Sequence, residues 1–537
     1  MYEKSINPNA RILIVGECPS RADFLGGRPF AAGEGQELNK MLHEAGIVRA
    51  DCHVTYVCRK PVPGREAKRF FVRYTPTVQV PTAEVAEGIT DLIYNITNLK
   101  PNLIIALGEL SLWSLTREMG ITKWRGSIME TAYGVKVIPT YSPDVIMRKW
   151  DWRYIAVQDL RRAADEANYP EISLPEYAFQ IRPSFQEVMV RLDWLLNLAE
   201  NKPLLLAGDI ETRAGHIACM GIGWNELSAI CIPFICVDNP EGYWAEEEEI
   251  AIVWKLHKLF RHPDIKWSFQ NGIYDFQYFA VRWGFIPHIY MDTMLAQHTC
   301  FAGLPKGLDF QSSIYCKYHR YWKDEGKEFH TSIKTPDEED KYWVYNCKDC
   351  VTTYEITTIH EQNIEKLGLQ KPYAFQMKQF MPVLRMMLRG VRCDQSRKDQ
   401  LAMELMDSYA EREQWLHDVA GQPLNVRSPK QMMEFFYDTL GLPVQKVRKT
   451  GRPTANDEAL HTLASKEPLI SPIVDCISEM RSIGVFLSTF VKAPLGEDKR
   501  LRSSYNIAGT ETYRWSSSKD AFGSGLNLQN IPKGTEK

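Results

Sequence analysis

LLLAGDIET (204–212), ACMGIGW (218–224) and AICIPF (229–234) decide how the middle of this chain is read. Each is an apolar run of strand length, and no helical pattern separates them, so an antiparallel meander is expected. A helix is predicted before them (185–200), and helices dominate from residue 246 onward. The first strand delivers Asp209 and Glu211 to one face, because side chains two apart in a strand point the same way. NGIYDFQYF (271–279) offers Asp275 at a helix-like position, and YWVYNCKDCVTTYEI (342–356) stacks Tyr345 and Asp349 four apart on one helix face. Four acids from separate elements suit two divalent cations about 3.5–4 Å apart, the arrangement that hydrolyses phosphodiesters. All the donors are carboxylate oxygens, the set preferred by hard Mg²⁺ or Mn²⁺. The Tyr345 phenol, one turn before the last acid, is placed to position an attacking water. Spacing alone leaves a second reading open, namely solvated charges on three ordinary elements. Cys347 and Cys350 read as packing thiols, since neither a second CxxC nor a nearby His completes a zinc site. The run Glu246–Glu249 reads as compensation of a helix dipole.

Outward from this block the pattern changes. RILIVGE (11–17), NLIIALGE (102–109) and KVIPTYSP (136–143) read as buried parallel strands, alternating with helical stretches such as 35–47 and 151–167. The expected organisation is a multidomain α/β chain. An α/β/α domain spans 1–168, a linker with three prolines 169–184, the acid-bearing domain 185–365 and a mainly helical region 366–537. At 537 residues the chain exceeds one hydrophobic core. Lys and Arg number 64 against 67 Asp and Glu, a net charge of −3, which excludes retention on nucleic acid by bulk charge but permits a local basic groove. The 12 scattered cysteines suggest reduced thiols in a cytosol-like compartment. No signal peptide is apparent and no apolar run reaches membrane-spanning length, so no membrane partner is expected.

DIET (209–212), NxxxD (271–275) and YxxxD (345–349) resemble, in order and separation, the three motifs of DEDD-type 3′–5′ exonucleases. They are most similar to the tyrosine-bearing proofreading domain of family-A DNA polymerases, with its ribonuclease H-like fold. The resemblance implies Asp209, Glu211, Asp275 and Asp349 as ligands of two Mg²⁺ or Mn²⁺ ions, Tyr345 as the water-orienting group, and Asp292 as a structural acid.

FMPVLRMMLRGVRCD (380–394), LNVRSPKQMMEFFYDTLGLP (424–443), NIAGTETYRWSSS (506–518) and LNLQNIP (526–532) resemble the thumb and the start of the palm of the same polymerases. By that likeness Thr510, Thr512, Arg514, Ser516, Ser517, Asn527, Gln529 and Asn530 hold duplex DNA through phosphate and minor-groove contacts, with Arg514 on the primer side. Tyr513 departs from the family, which has Gly there. The family's palm acids and nucleotide-binding fingers follow the Asn-Ile-Pro run and have no counterpart among the 537 residues. The implied partners are primer–template DNA, a single-stranded 3′ end, and a second polypeptide carrying palm and fingers, unless the chain is a cut fragment. A phage gene at work in a bacterial host's cytoplasm fits this arrangement.

ILIVGECPS (12–20), GGRPFAAGEG (26–35), ALG (106–108) and PTYSPDVI (139–146) resemble the uracil-DNA glycosylase superfamily, in particular its family-4-like members. Glu17 and Phe30 take the positions of the water-polarising acid and of the aromatic that stacks on the flipped base. Tyr56 stands where the base-reading Asn is expected, and Ser142 replaces the His of the familiar His-Pro. Cys18, Cys52 and Cys58 do not reproduce the spacing of the iron–sulfur ligands, so no cluster is expected. These changes imply a domain that holds DNA or acts as scaffold without excising uracil. Two readings of the whole chain compete with a proofreading nuclease: a non-enzymatic DNA-binding subunit with a spent site, and a polynucleotide-trimming nuclease outside replication.

Overall fold

Five strands, mostly apolar, form the first sheet of the chain. In the computed structural model, which describes residues 7–531 apart from 8, 63–68, 76, 240, 330–332 and 449, they are β1 (Ile12–Gly16), β2 (Cys52–Tyr56), β3 (Leu103–Leu107), β4 (Met129–Glu130) and β5 (Lys136–Thr140). They form one sheet in the order β2-β1-β3-β5-β4, parallel except for the edge hairpin β4–β5. β1 and β3 are buried at every position, as strands covered by helices on both faces must be. The covering helices include α1 (Gly33–Glu44), α2 (Ala83–Leu99) and α3 (Glu109–Thr116), and α4 (Arg153–Glu166) closes the block. α2 starts where the Thr82 hydroxyl accepts from the Val85 N–H.

The stretch read as a linker carries a strand of its own. β6 (Ala178–Gln180) pairs in parallel with the edge of the next sheet. Its Ala-Phe-Gln core is free of the three prolines, whose missing N–H groups would have barred pairing. α5 (Phe185–Asn201) then opens with a capping box, in which the Glu187 carboxylate accepts the Ser184 N–H at 2.7 Å. The meander follows as β7 (Leu204–Arg213), β8 (His216–Gly223) and β9 (Ser228–Pro233), antiparallel as its patterning predicts. After α6 (Glu246–Arg261), β10 (Ile265–Phe269) returns parallel to β7. β11 (Met291–Asp292) lies outside β10 and gives the order β11-β10-β7-β8-β9-β6. β10 is the strand that a reading of helical dominance after 246 passes over. The four acids of Glu246–Glu249 do form the first turn of α6, where the Glu248 carboxylate accepts the Ala245 N–H.

α7 (Ile273–Tyr278), α8 (Leu308–Tyr315), α9 (Lys323–Phe329) and the long α10 (Pro336–Lys366) complete this part. α10 lies across β8 and β9, burying Cys347 and Cys350 against Ala218, Cys219 and Cys231. Its approach depends on Gly221, where a Cβ would lie 2.4 Å from Asn346 Oδ1 and 2.5 Å from Cys350 Sγ.

Two compact units divide at Met377 and Lys378, within α11 (Gln370–Arg389). Both sheets belong to the first. The second contains α12 (Gln395–Ala420), α13 (Asp457–Lys466) and α14 (Ser471–Phe486) around a core that includes Leu416, Phe436, Leu460 and Ile477. It also holds a two-stranded ribbon, β12 (Ser504–Asn506) with β13 (Ser516–Ser518). Among the described residues no helix is long and apolar enough to cross a membrane.

Candidate functional site

β7 is the central strand on which the acids depend. Alternation along it sends Asp209 and Glu211 to the same face, and α10 crosses that face carrying Asp349. Carboxylate oxygens of Asp209, Glu211 and Asp349 lie within 4.8 Å of one another. Asp275, the fourth acid, stands outside this cluster. It is buried in α7 and accepts the Ile210 N–H at 3.0 Å, tying that helix to β7 between the two acids. Asp292 is structural: its carboxylate accepts from the backbone N–H groups of Gly272, Met294 and Leu295 at 2.9–3.1 Å.

Three residues outside the recognised motifs complete the site. Lys323, at the start of α9, pairs its ammonium with Asp349 and donates to the Tyr345 hydroxyl at 2.9 Å. Trp322 donates its indole N–H to Asp349 Oδ1 at 2.7 Å. Asn346, next to Tyr345, donates to Asp209 Oδ2 at 2.9 Å, and its own Oδ1 is buried without a protein partner. Of these only Asn346 was findable in the sequence, three residues before Asp349 on the same helix face.

Electrostatics follow from crowding three acids, with Asp275 next to Asp209, around one ammonium. Burial, with Asp349 adding to it, pushes Asp209 up to about 8 against the pull of Lys323 and Asn346. Burial and then Asp209 push Glu211 well up, and the same two causes raise Asp275. Burial favours the neutral amine of Lys323, but Asp349, Asp209 and Glu211 outweigh it and raise its pKa. Burial, then Asp349, Glu211 and Asp209, hold the Tyr345 phenol firmly protonated. One ammonium leaves the cluster short of positive charge, and the oxygen-only donor set fits a hard divalent cation.

The pocket at the ends of β1 and β2 is of another kind. Tyr56 lies against Phe30 with ring centroids 4.8 Å apart, and its hydroxyl donates to Asp23 at 3.0 Å while accepting the Phe30 N–H at 2.9 Å. Phe30 is thus buried with the chain's own Tyr56 ring against it, the two planes tilted by 35°. Glu17 accepts the Leu110 N–H at 3.0 Å at the start of α3, and Ser142 donates to Asp144.

In the second unit, the residues assigned to DNA are gathered by the β12–β13 ribbon. The Thr510 hydroxyl donates to the Arg514 carbonyl at 2.9 Å and accepts the Arg514 N–H at 3.0 Å, closing a loop that leaves the Arg514 side chain exposed. Tyr513 adopts φ +62°, the left-handed conformation for which glycine is the ordinary choice. Ser516 and Ser517 sit on β13. Ser517 bonds Asn527, the Gln529 amide donates to the Trp515 carbonyl, and Thr512 and Asn530 are exposed beside them.

Comparison with known proteins gives two separate matches. Residues 3–163 match the uracil DNA glycosylase superfamily, and residues 395–537 match DNA polymerase family A. The type-4 uracil-DNA glycosylase of Thermotoga maritima is 33% identical over 161 residues, 29% of this chain and 78% of that protein. A DNA polymerase I of Rhizobium leguminosarum is 30% identical over 288 residues, 52% of this chain and 27% of that one. The DNA polymerase of Bacillus phage SP01 is 22% identical along 98% of this chain and 63% of its own length. The chain therefore spans less than two thirds of each of these two polymerases.

Proposed function

From a chain whose first third belongs to the uracil-DNA glycosylase superfamily and whose last third is homologous to family-A DNA polymerases, we propose a replication protein that proofreads. Its 185–365 region acts as a 3′–5′ exonuclease, and 366–537 holds the duplex behind the frayed end through Arg514 and the neighbouring polar groups. The observation that carries this reading is the convergence of Asp209, Glu211 and Asp349 within 4.8 Å beside Tyr345.

Asp209, Glu211 and Asp349, with Asp275 beside them, are the residues that would hold Mg²⁺ or Mn²⁺. Such ions supply water activation and charge neutralisation at the phosphate. The chain's own groups do the rest. Tyr345 keeps its proton and so orients water by hydrogen bonding instead of acting as base. Lys323 fixes the phenol, and Trp322 and Asn346 fix the carboxylates they bond. Water adds at the last phosphorus and the bond to the preceding O3′ breaks, releasing a 5′-mononucleotide and a new 3′-hydroxyl.

The Lys323–Asp349 pair favours one rival, a spent site in which the ammonium stands in for a cation. A 5′-labelled mismatched primer on a template separates the two. Mg²⁺-dependent shortening that Asp209→Ala abolishes is expected, and a wild-type chain that leaves the primer intact with Mg²⁺ and Mn²⁺ contradicts it. RNA in place of the primer tests the trimming alternative. Nucleotide addition by such a protein would need palm and fingers groups beside these residues, and a second polypeptide is one source of them. The bacterial and phage relatives favour a bacterial cytoplasm as the place of action. Uracil excision is not part of the function, because Tyr56 covers Phe30 and Ser142 offers no imidazole.

A further inference from the structure

Among the described residues the first domain contributes no group to the carboxylate site, yet it is bolted to the segment that does. Residues 312–324 run from α8 to α9, ending in Trp322 and Lys323. The glycosylase-like domain grips this arm along its length. The Arg162 guanidinium donates to the Ser313 carbonyl at 2.8 Å and to the Cys316 carbonyl at 2.7 Å. Arg125, paired with the buried Asp159, donates to Ser313 Oγ at 2.7 Å. The Ile128 N–H donates to the His319 carbonyl at 2.8 Å, and the Tyr321 N–H donates to Ser127 Oγ at 3.1 Å. Lys123 pairs with Asp324, and the Trp124 and Tyr321 rings meet edge to face at 5.3 Å. Phe310 and Ile314 of α8 pack on the first domain's core.

The grip is built in, not incidental. Arg125, Ser127 and Asp159 are buried, and Gly126 leaves the room: a Cβ there would lie 2.6 Å from Asp159 Oδ1 and 3.0 Å from Arg162 Nη1. Backbone clamps on both sides of residue 320 fix the path of the two residues that follow. Those two are Trp322, on Asp349 Oδ1, and Lys323, on Asp349 and the Tyr345 hydroxyl.

We propose that the glycosylase-like domain is a brace for the nuclease: its 123–128 segment and Arg162 hold the 312–324 arm so that Lys323 and Trp322 position Asp349 and Tyr345. This rests on the nuclease reading above. It gives the domain a reason to keep its fold after its pocket has been filled, and it makes Ser127 and Lys123 positioning residues for a site they never touch.

The test is a double-mutant cycle in the full chain, with Lys123→Ala/Ser127→Ala as the brace variant and Lys323→Ala as the arm variant. Turnover of a mismatched 3′ end is expected to fall about 10- to 100-fold in the brace variant at unchanged KM, and about 100-fold in Lys323→Ala. Adding the brace changes to Lys323→Ala is expected to cost nothing more, because the brace acts through that residue. Full turnover in the brace variant, or losses that multiply in the combined variant, overturn the proposal. A wild-type chain without cleavage sinks the nuclease reading itself, and hydrogen exchange then judges the brace. Faster exchange of the Tyr321–Lys323 amides in the brace variant, with the thermal midpoint unmoved, supports it, and unchanged exchange overturns it.

Discussion

The carboxylate cluster on β7 and the pocket beside β1 lie in one compact unit, and each occupies the place where its fold usually works. In the first, charged groups converge and stay under-compensated, with three acids around Lys323 and the Asn346 oxygen left without a protein partner. In the second, the groups turn on one another: Tyr56 lies tilted against Phe30 and bonds Asp23, and Glu17 accepts the Leu110 N–H. Unbalanced charge in a buried place is the mark of a site that awaits a ligand. A pocket filled by its own side chain marks a fold kept for another purpose.

The largest expected effect comes from removing an acid. Asp209→Ala should lower 3′-end hydrolysis by at least about a thousandfold while leaving duplex binding in place, as read by primer degradation beside a binding isotherm. A variant that retains cleavage would erase the contrast between the two places.

Gly221→Ala probes the packing that brings α10 to the acids. The added methyl meets Asn346 and Cys350, so a destabilisation of about 1–3 kcal/mol is expected by denaturant titration, with a fall in turnover as Asn346 is pushed off Asp209.

Proton linkage sharpens the electrostatic half of the comparison. Asp209 rises from 3.8 to about 8 on folding, so between those values the folded metal-free chain holds a proton that the unfolded chain has released. Stability from this group is therefore greatest at the acid end and declines as pH rises toward 8. A divalent cation binds the ionised cluster, so thermal stabilisation by Mg²⁺ should grow across the same range. Thermal midpoints with and without Mg²⁺ at about pH 5.5, 7 and 8.5 check both slopes. A Mg²⁺ effect independent of pH would contradict the account.

The smallest effect is expected in the filled pocket. Tyr56→Phe removes the hydroxyl that joins Phe30 to Asp23 and should cost about 1 kcal/mol, with nuclease activity unchanged. Tyr56→Ala uncovers Phe30 but should still leave uracil in place. Excision by that variant would show that Tyr56 alone silences the domain.

What the sequence made legible follows a physical divide. Patterning in strands and helices is local, so the meander, the one-face placement of Asp209 and Glu211, and the acidic first turn of α6 can all be read from the sequence. β6 is harder because three residues among prolines give too short a run to count, and the sheet edge that stabilises it comes later in the chain. Lys323 and Trp322 are invisible for a related reason. They reach Asp349 from an arm that the glycosylase-like domain grips, and no periodicity in YWKDEGK records those contacts between domains. Tyr56 was readable as a departure, but its contact with Phe30 was not, since that depends on β2 lying parallel to β1.

One substrate tests the contrast directly: a labelled duplex carrying a mispaired 3′ end and an internal uracil, incubated with the chain and Mg²⁺. The account predicts stepwise loss of 3′ nucleotides and no alkali-sensitive abasic site at the uracil. An intact 3′ end, or strand scission at the uracil, would contradict it.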